Sequence, residues 1–245
     1  MAKGQKQGGS VMKRKICTTF IIVAILAGFF GCDNGDTGPD GNGGKPIVCL
    51  GDSLTEGYGA SKPNSVDKTR SYPAFLGEKV TVTVVNAGIS GDTTAGGLAR
   101  IGKDVLAHNP QLVIILLGAN DFTHMRPANE AKKDLQSIIN NIRDGNRKIY
   151  LASFIGDSSW EASYISVIPG GLTLELEAYL GEYKKMYSEL KSENTDIGYI
   201  ANIWKGIENS DMSDLVHPNA EGYRKMADNI FNEIKPYLQV NDLLK

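Results

Sequence analysis

Five short runs rich in valine and isoleucine alternate along this chain with stretches whose apolar residues recur every three or four positions. The runs are Ile47–Leu50, Val80–Val85, Leu112–Leu117, Lys148–Phe154 and Ile197–Ala201. Each has the length of a buried strand. Between them lie three helical stripes: Leu98, Ile101 and Val105; then Ala131, Leu135, Ile138 and Ile142; then Leu176, Leu180, Tyr183, Tyr187 and Leu190. A last stripe carries Tyr223, Met226, Ile230, Ile234 and Leu238, with Pro218 suited to its first turn. Strands that alternate with helices and are apolar throughout imply crossover connections and a parallel sheet covered on both faces. An α/β fold follows, and in such sheets ligands sit beyond the carboxyl ends of the strands.

The sheet-forming pattern starts only near residue 46. Residues 1–31 hold five of the 26 basic residues and none of the acidic ones, and Met12-Lys13-Arg14-Lys15 precedes an apolar stretch from Ile16 to Gly31. That is the layout of a signal peptide, and it is short for a membrane span, which needs about 20 apolar residues. Met12 is the expected start. The stretch ends Gly31-Cys32, a small residue before a cysteine, which resembles a bacterial lipobox although Phe29 replaces the usual aliphatic residue. Cys32 is therefore the expected lipid attachment site of an envelope lipoprotein facing the periplasm or the cell exterior. Cleavage without lipid, giving a secreted protein, and an uncleaved anchor are the alternatives. Residues 32–45 are mostly glycine, aspartate and asparagine with no apolar anchor after Cys32, a flexible tether. Residues 46–245 form one domain by size.

From residue 32 onward, 21 basic residues face 28 acidic ones, a net charge of about −7. That balance argues against a nucleic-acid partner and against polybasic docking to a membrane. Cys49 is the one cysteine left inside the domain, so no intrachain disulfide is expected. It sits on an apolar strand and reads as a small buried hydrophobe. A monomer is expected.

The chemistry concentrates where strands end. Gly51-Asp52-Ser53-Leu54 follows the first strand, putting a serine where a strand gives way to a turn. Asp214 and His217 stand just before the last helix. A serine hydroxyl becomes a competent nucleophile when a histidine takes its proton and a carboxylate orients that histidine. Alone, the Asp-x-x-His pair reads equally well as a helix-capping arrangement. Acyl transfer also needs donors for the developing oxyanion, worth roughly 3–4 kcal/mol each. The glycines of Asn86–Thr94 and the side chain of Asn120 in Gly118-Ala119-Asn120-Asp121 are candidates. Asp52 and Asp121 are expected to fix their loops by accepting backbone N–H bonds. His108 suits a helix C-terminus, and His124 lies on a rim loop. Three histidines without paired spacing do not suggest zinc, so neither metal nor cofactor is expected.

Gly-Asp-Ser-Leu, the loop around Gly91, Gly-x-Asn-Asp and Asp-x-x-His-Pro, in this order, resemble the blocks of the SGNH (GDSL) hydrolase superfamily. The resemblance spans nearly the whole domain and implies a flavodoxin-like three-layer α/β/α fold with a five-stranded parallel sheet. It also implies Ser53 as nucleophile and first oxyanion donor, Gly91 as second, Asn120 as side-chain donor, His217 as base and Asp214 as its orienting acid. The segment Asn86–Arg100 is most similar to the thioesterase, lysophospholipase and arylesterase branch, with Ala119 standing where that branch often has glycine. The implied activity is metal-independent hydrolysis of carboxylic esters or thioesters on small-molecule or lipid substrates. Two alternatives stay open: a carbohydrate O-acetylesterase, and a catalytically silent surface binding protein on the same fold. Residues 156–171 are long for a connection and are expected to overhang the site, with Tyr58–Tyr72 as an opposite wall.

Overall fold

A computed structural model describes residues 44–156 and 174–245. The expected signal peptide, most of the tether, Cys32 and nearly all of the segment 156–171 lie outside the described residues.

The strands are β1 (Ile47–Gly51), β2 (Val84–Gly88), β3 (Leu112–Leu116), β4 (Lys148–Ala152) and β5 (Gly198–Ile200). They form one parallel sheet in the order β2-β1-β3-β4-β5. The helices are α1 (Ser53–Glu56), α2 (Tyr72–Gly77), α3 (Thr94–Ala99), α4 (Ile101–Asp104), α5 (Ala119–Thr123), α6 (Ala128–Ile142), α7 (Leu174–Glu193) and α8 (Ala220–Val240). α2 packs on α8, while α3, α6 and α7 pack in series. The sheet lies between these two helical layers, the expected three-layer α/β arrangement. β1 and β3 are buried at every position, which is why they read as continuous apolar runs rather than alternating ones. The stripe of α8 is wholly buried from Tyr223 to Leu238, and each such side chain contributes about 1.5–3 kcal/mol of burial.

Three local expectations change. The second strand begins at Val84, not Val80, and runs on to Gly88. Val80 and Val82 are buried, but Val80 bridges Leu244 antiparallel and the Thr81 N–H donates to Leu243 O at 2.9 Å. Their apolarity serves packing on the C-terminal segment, whereas the ladder is set by Ile47 opposite Val84. The helix expected through Leu98, Ile101 and Val105 breaks at Arg100, whose side chain turns back to the sheet edge. Pro218 precedes α8 rather than opening it. Asn219 is the cap, its Oδ1 accepting from Glu221 N at 3.0 Å and Gly222 N at 3.2 Å.

The register sets the position of the site. Gly51 pairs with Gly88 on one side and Leu116 on the other, so three strands end level. The chain leaves β1 toward neighbours on both sides, which makes this edge the switch point of the sheet. Ser53, the Ile89–Asp92 turn and Asn120 all emerge there.

Candidate active site

Ser53 opens α1, and its neighbour Asp52 caps that helix through a bond from Leu54 N to Oδ1 at 3.0 Å. The Ser53 N–H, first in the helix, has no partner within it. The Ser53 Oγ lies 3.0 Å from His217 Nε2. His217 Nδ1 lies 2.9 and 3.0 Å from the two Asp214 oxygens. Asp214 is itself fixed by the N–H groups of Val216 and His217, at 2.9 and 2.8 Å. Burial alone would raise the Asp214 carboxyl, but bonds from the His217 ring and from the backbone outweigh it and hold it below the usual carboxylate range. The capping alternative for the Asp-x-x-His pair is met at once by this geometry: Asp214 Oδ1 takes the backbone bonds as well as the imidazole. Asn219, not Asp214, caps α8.

Other groups hold the imidazole in place. The Tyr58 ring packs at 4.6 Å from that of His217, and the Tyr223 hydroxyl donates to Tyr58 O at 2.8 Å. Gly59 has φ +81°, and a Cβ there would stand 3.2 Å from His217 Cβ, so glycine alone lets this loop approach so closely.

Across the serine, Ile89–Asp92 makes a tight turn closed by Asp92 N to Ile89 O at 3.1 Å. Gly91 sits at its third position with φ +80°, the signature of a type II turn. No acceptor for its N–H exists among the described residues. The Asn120 Nδ2 donates to Asp92 O at 2.8 Å and lies 3.4 Å from Asp52 Oδ2. Asp52 and Asp121 do fix their loops. Asp121 is fully buried and accepts from Thr94 N at 2.8 Å, Thr94 Oγ1 at 2.8 Å and Arg126 at 2.6 Å. Asp52, 1% exposed, makes no salt bridge with a Lys or Arg among the described residues. Burial pushes its carboxyl up to about 7, chiefly by desolvation.

A cavity of about 220 Å³ opens beside this group. Besides Ser53, Asn120 and His217 its walls are chiefly apolar: Phe122, Phe154, Trp204, Met212, Leu215 and Val216 carry most of them. The expected wall from Tyr58 to Tyr72 supplies none of the lining among the described residues; it turns toward the imidazole instead. His124 ends α5 and is not in the lining, and His108 ends an exposed single turn. Cys49 is buried and unpaired, its thiol pushed up to about 12 by burial.

Arg100 closes the Asn86–Arg100 segment of resemblance but takes no role from sequence alone, and it ties the site's edge together. Its guanidinium donates to Asp92 Oδ2 at 2.7 Å, Ala87 O at 2.8 Å, Gly51 O at 2.8 Å and Asp104 at 3.1 Å. One side chain thus fastens the ends of β1 and β2 to the glycine turn. Nor did any pattern single out Trp204 and Met212, which reach the cavity from irregular chain after β5.

A serine, a histidine and a carboxylate joined by hydrogen bonds at the switch point of a parallel α/β sheet form the arrangement that serine esterases use. Residues 49–225 match the GDSL-like Lipase/Acylhydrolase family, and this chain belongs to it. An arylesterase of Vibrio mimicus is 36% identical over 112 residues, which is 44% of this chain and 53% of that protein. Esterase TesA of Pseudomonas aeruginosa is 26% identical over 200 residues, 79% of this chain and 90% of that one. A stretch of 86 residues is 33% identical to an uncharacterized lipoprotein, YqeF, of Bacillus subtilis, covering 34% of this chain and 35% of that protein. Among solved structures, a lipase/acylhydrolase from Enterococcus faecalis has a TM-score of 0.61 at 25% identity, over 82% of this chain and 97% of that chain. Family and fold together make the protein a GDSL-type esterase or acylhydrolase.

Proposed function

We propose that the protein hydrolyses carboxylic esters or thioesters of apolar acyl or aryl groups through an acyl-Ser53 intermediate. The observation that carries this is the unbroken chain from Ser53 Oγ to His217 Nε2 and from His217 Nδ1 to Asp214, at 3.0 and 2.9 Å, opening on an apolar cavity. His217 takes the Ser53 proton as Oγ attacks the carbonyl carbon, and Asp214 stabilises the imidazolium that forms. The N–H groups of Ser53 and Gly91 and the Asn120 amide receive the oxyanion. One Asn120 hydrogen keeps the amide oriented on Asp92 O, and the other leaves its long contact to Asp52 for the oxyanion. The tetrahedral adduct then expels the alcohol or thiol, which takes the proton from His217. Water, deprotonated by His217, attacks the acyl-serine and releases the acid, restoring the Ser53 hydroxyl. No metal takes part in this scheme.

The cavity of about 220 Å³ lies below the usual range for drug-sized ligands, about 300–1,000 Å³, and suits a short acyl or aryl group. Its apolar walls favour that over a sugar, whose hydroxyls would go unpaired there. A p-nitrophenyl ester chain-length series run beside acetylated glycans tests the choice. Turnover of short and medium acyl esters is expected, and activity confined to acetyl sugars would replace this reading with an O-acetylesterase. A serine-directed fluorophosphonate should label the wild type and not Ser53→Ala. An unlabelled wild type points to a silent binding protein. We also propose lipidation at Cys32 and an envelope location, supported by the basic and apolar segment before it and by the lipoprotein similarity. The mass of the mature protein should carry a lipid increment that Cys32→Ser abolishes.

A further inference from the structure

Glu56 stands three residues after Ser53, at the end of α1, with its side chain 18% exposed. Its Oε2 accepts from both Ser90 N, at 2.8 Å, and Ser90 Oγ, at 2.6 Å. Its Oε1 faces Lys68 Nζ at 3.7 Å. The backbone of Glu56 is held as well: Asn86 Nδ2 reaches its carbonyl at 3.4 Å, and Gly88 packs so closely that a Cβ there would meet Glu56 N at 2.2 Å. One residue therefore fastens the helix that begins with Ser53 to the turn that contains Gly91.

Ser90 and Gly91 are the two central residues of that turn. In a type II turn the peptide between them points opposite to its direction in a type I turn, and that peptide carries the Gly91 N–H. Both forms close the same Ile89–Asp92 bond, so the bond alone does not choose between them. The positive φ of Gly91 selects the type II form, and the carboxylate that grips Ser90 by its N–H and its hydroxyl fixes where that turn stands relative to α1. Ser90 and Gly91 are exposed, and among the described residues no side chain stands within 4 Å of where a Gly91 Cβ would be. Arg100 and Asn120 hold the Asp92 end of the turn, while Glu56 holds it at Ser90.

We infer that Glu56 is a positioning residue for the oxyanion hole, holding the Ile89–Asp92 turn at the place relative to Ser53 from which the Gly91 N–H is aimed at the reacting carbonyl oxygen. This rests on the reading of Ser53 as nucleophile. Charge-assisted bonds to both Ser90 groups make the hold stronger than neutral ones would.

The test compares Glu56→Ala, Glu56→Leu and Glu56→Gln on a p-nitrophenyl ester, with Ser53→Ala as reference. Complete loss of one oxyanion donor costs about 10²–10³ in kcat, so loosening one should cost about 10- to 100-fold. Ala and Leu should lower kcat by that amount with KM within about twofold, since the interaction forms only in the transition state. Gln keeps an acceptor at the same place and should restore most of the rate. If Glu56→Ala does not fold, Leu and Gln, which fill the same space, decide the matter between them. Folded Ala or Leu variants with wild-type kcat would overturn the inference, as would a Gln variant as slow as Leu. Those failures are distinct from failure of the catalytic reading, which would show as turnover persisting in Ser53→Ala.

Discussion

Asp52 is a carboxylate placed where few are tolerated: 1% exposed, next to Ser53, with no Lys or Arg salt bridge among the described residues. Leu54 N donates to Oδ1 at 3.0 Å, and the amide of Asn120 lies 3.4 Å from Oδ2. The charged and titratable groups around it are His217, which favours its charge, and Asp92, which opposes it. The hydroxyls of Tyr72, Tyr187 and Tyr223 also feel it. Desolvation outweighs the favourable terms, and the folded carboxyl releases its proton near 7 rather than 3.8. Between those values the folded state binds the proton that the unfolded chain has lost, so stability falls as pH rises. At 1.36 kcal/mol per pH decade the interval amounts to about 4 kcal/mol, fully present below pH 3.8 and lost by about pH 7. Asp52→Asn keeps the acceptor for Leu54 N and removes the titration. Urea unfolding of both proteins from pH 4 to 8 should show the wild type losing about 4 kcal/mol relative to the variant, or about 2 M in midpoint at a slope of about 2 kcal/mol/M. Carboxylates held low, Asp214 and Asp211 among them, titrate in both proteins and cancel. A difference that stays constant across that range would refute the reasoning, since Asp52 would then be ionised throughout.

Asp214→Asn should leave the fold intact and lower kcat on the order of 10⁴-fold, the size of the tautomer effect in the best-studied triad. Steady-state rates within about tenfold of wild type would remove Asp214 from the proposed chain. Gly88→Ala should destabilise the domain by about 1–3 kcal/mol through overpacking, because its Cβ would stand 2.2 Å from Glu56 N and 2.7 Å from Glu56 Cα. Thermal melts should fall by about 2–4 °C per kcal/mol. An unchanged midpoint would mean that α1 can move away from β2 freely.

What the sequence discloses about the fold depends on whether burial or pairing fixes each residue. β1 and β3 are apolar at every position because both faces are covered, and their limits are legible to within a residue. Val80 and Val82 are just as apolar, yet they pack against Leu243 and Leu244 at the far end of the chain. No local pattern separates a valine in a ladder from one under a C-terminal segment. The break at Arg100 is hidden for a related reason. The stripe through Leu98, Ile101 and Val105 continues past it, whereas the break falls at the residue whose guanidinium reaches Gly51 O and Asp92.

The same division runs through the site. Ser53, His217 and Asp214 could be picked out as candidates because acyl transfer accepts few residue types, and the structure brings the three into one hydrogen-bonded chain. The groups that aim them carry no such restriction. Glu56, Arg100 and Tyr58 act through reach, and a different polar or aromatic side chain from another element could do the same work. Their identity therefore appears only once the register makes Gly51, Gly88 and Leu116 level. The cavity is one step further removed. Phe122 comes from α5, Phe154 from the end of β4, Trp204 from after β5, and Leu215 and Val216 from between Asp214 and His217. Leu215 is 63% exposed, far more than the Asp214 and His217 side chains that flank it. Its position is fixed on both sides by Asp214 and His217, whose mutual bonds leave the intervening two residues facing the cavity. The spacing that lets Asp214 bond His217 thus also sets which side chains line the cavity, so under the proposed mechanism changes at Leu215 and Val216 should alter chain-length preference through KM while leaving the chemistry of Ser53 in place.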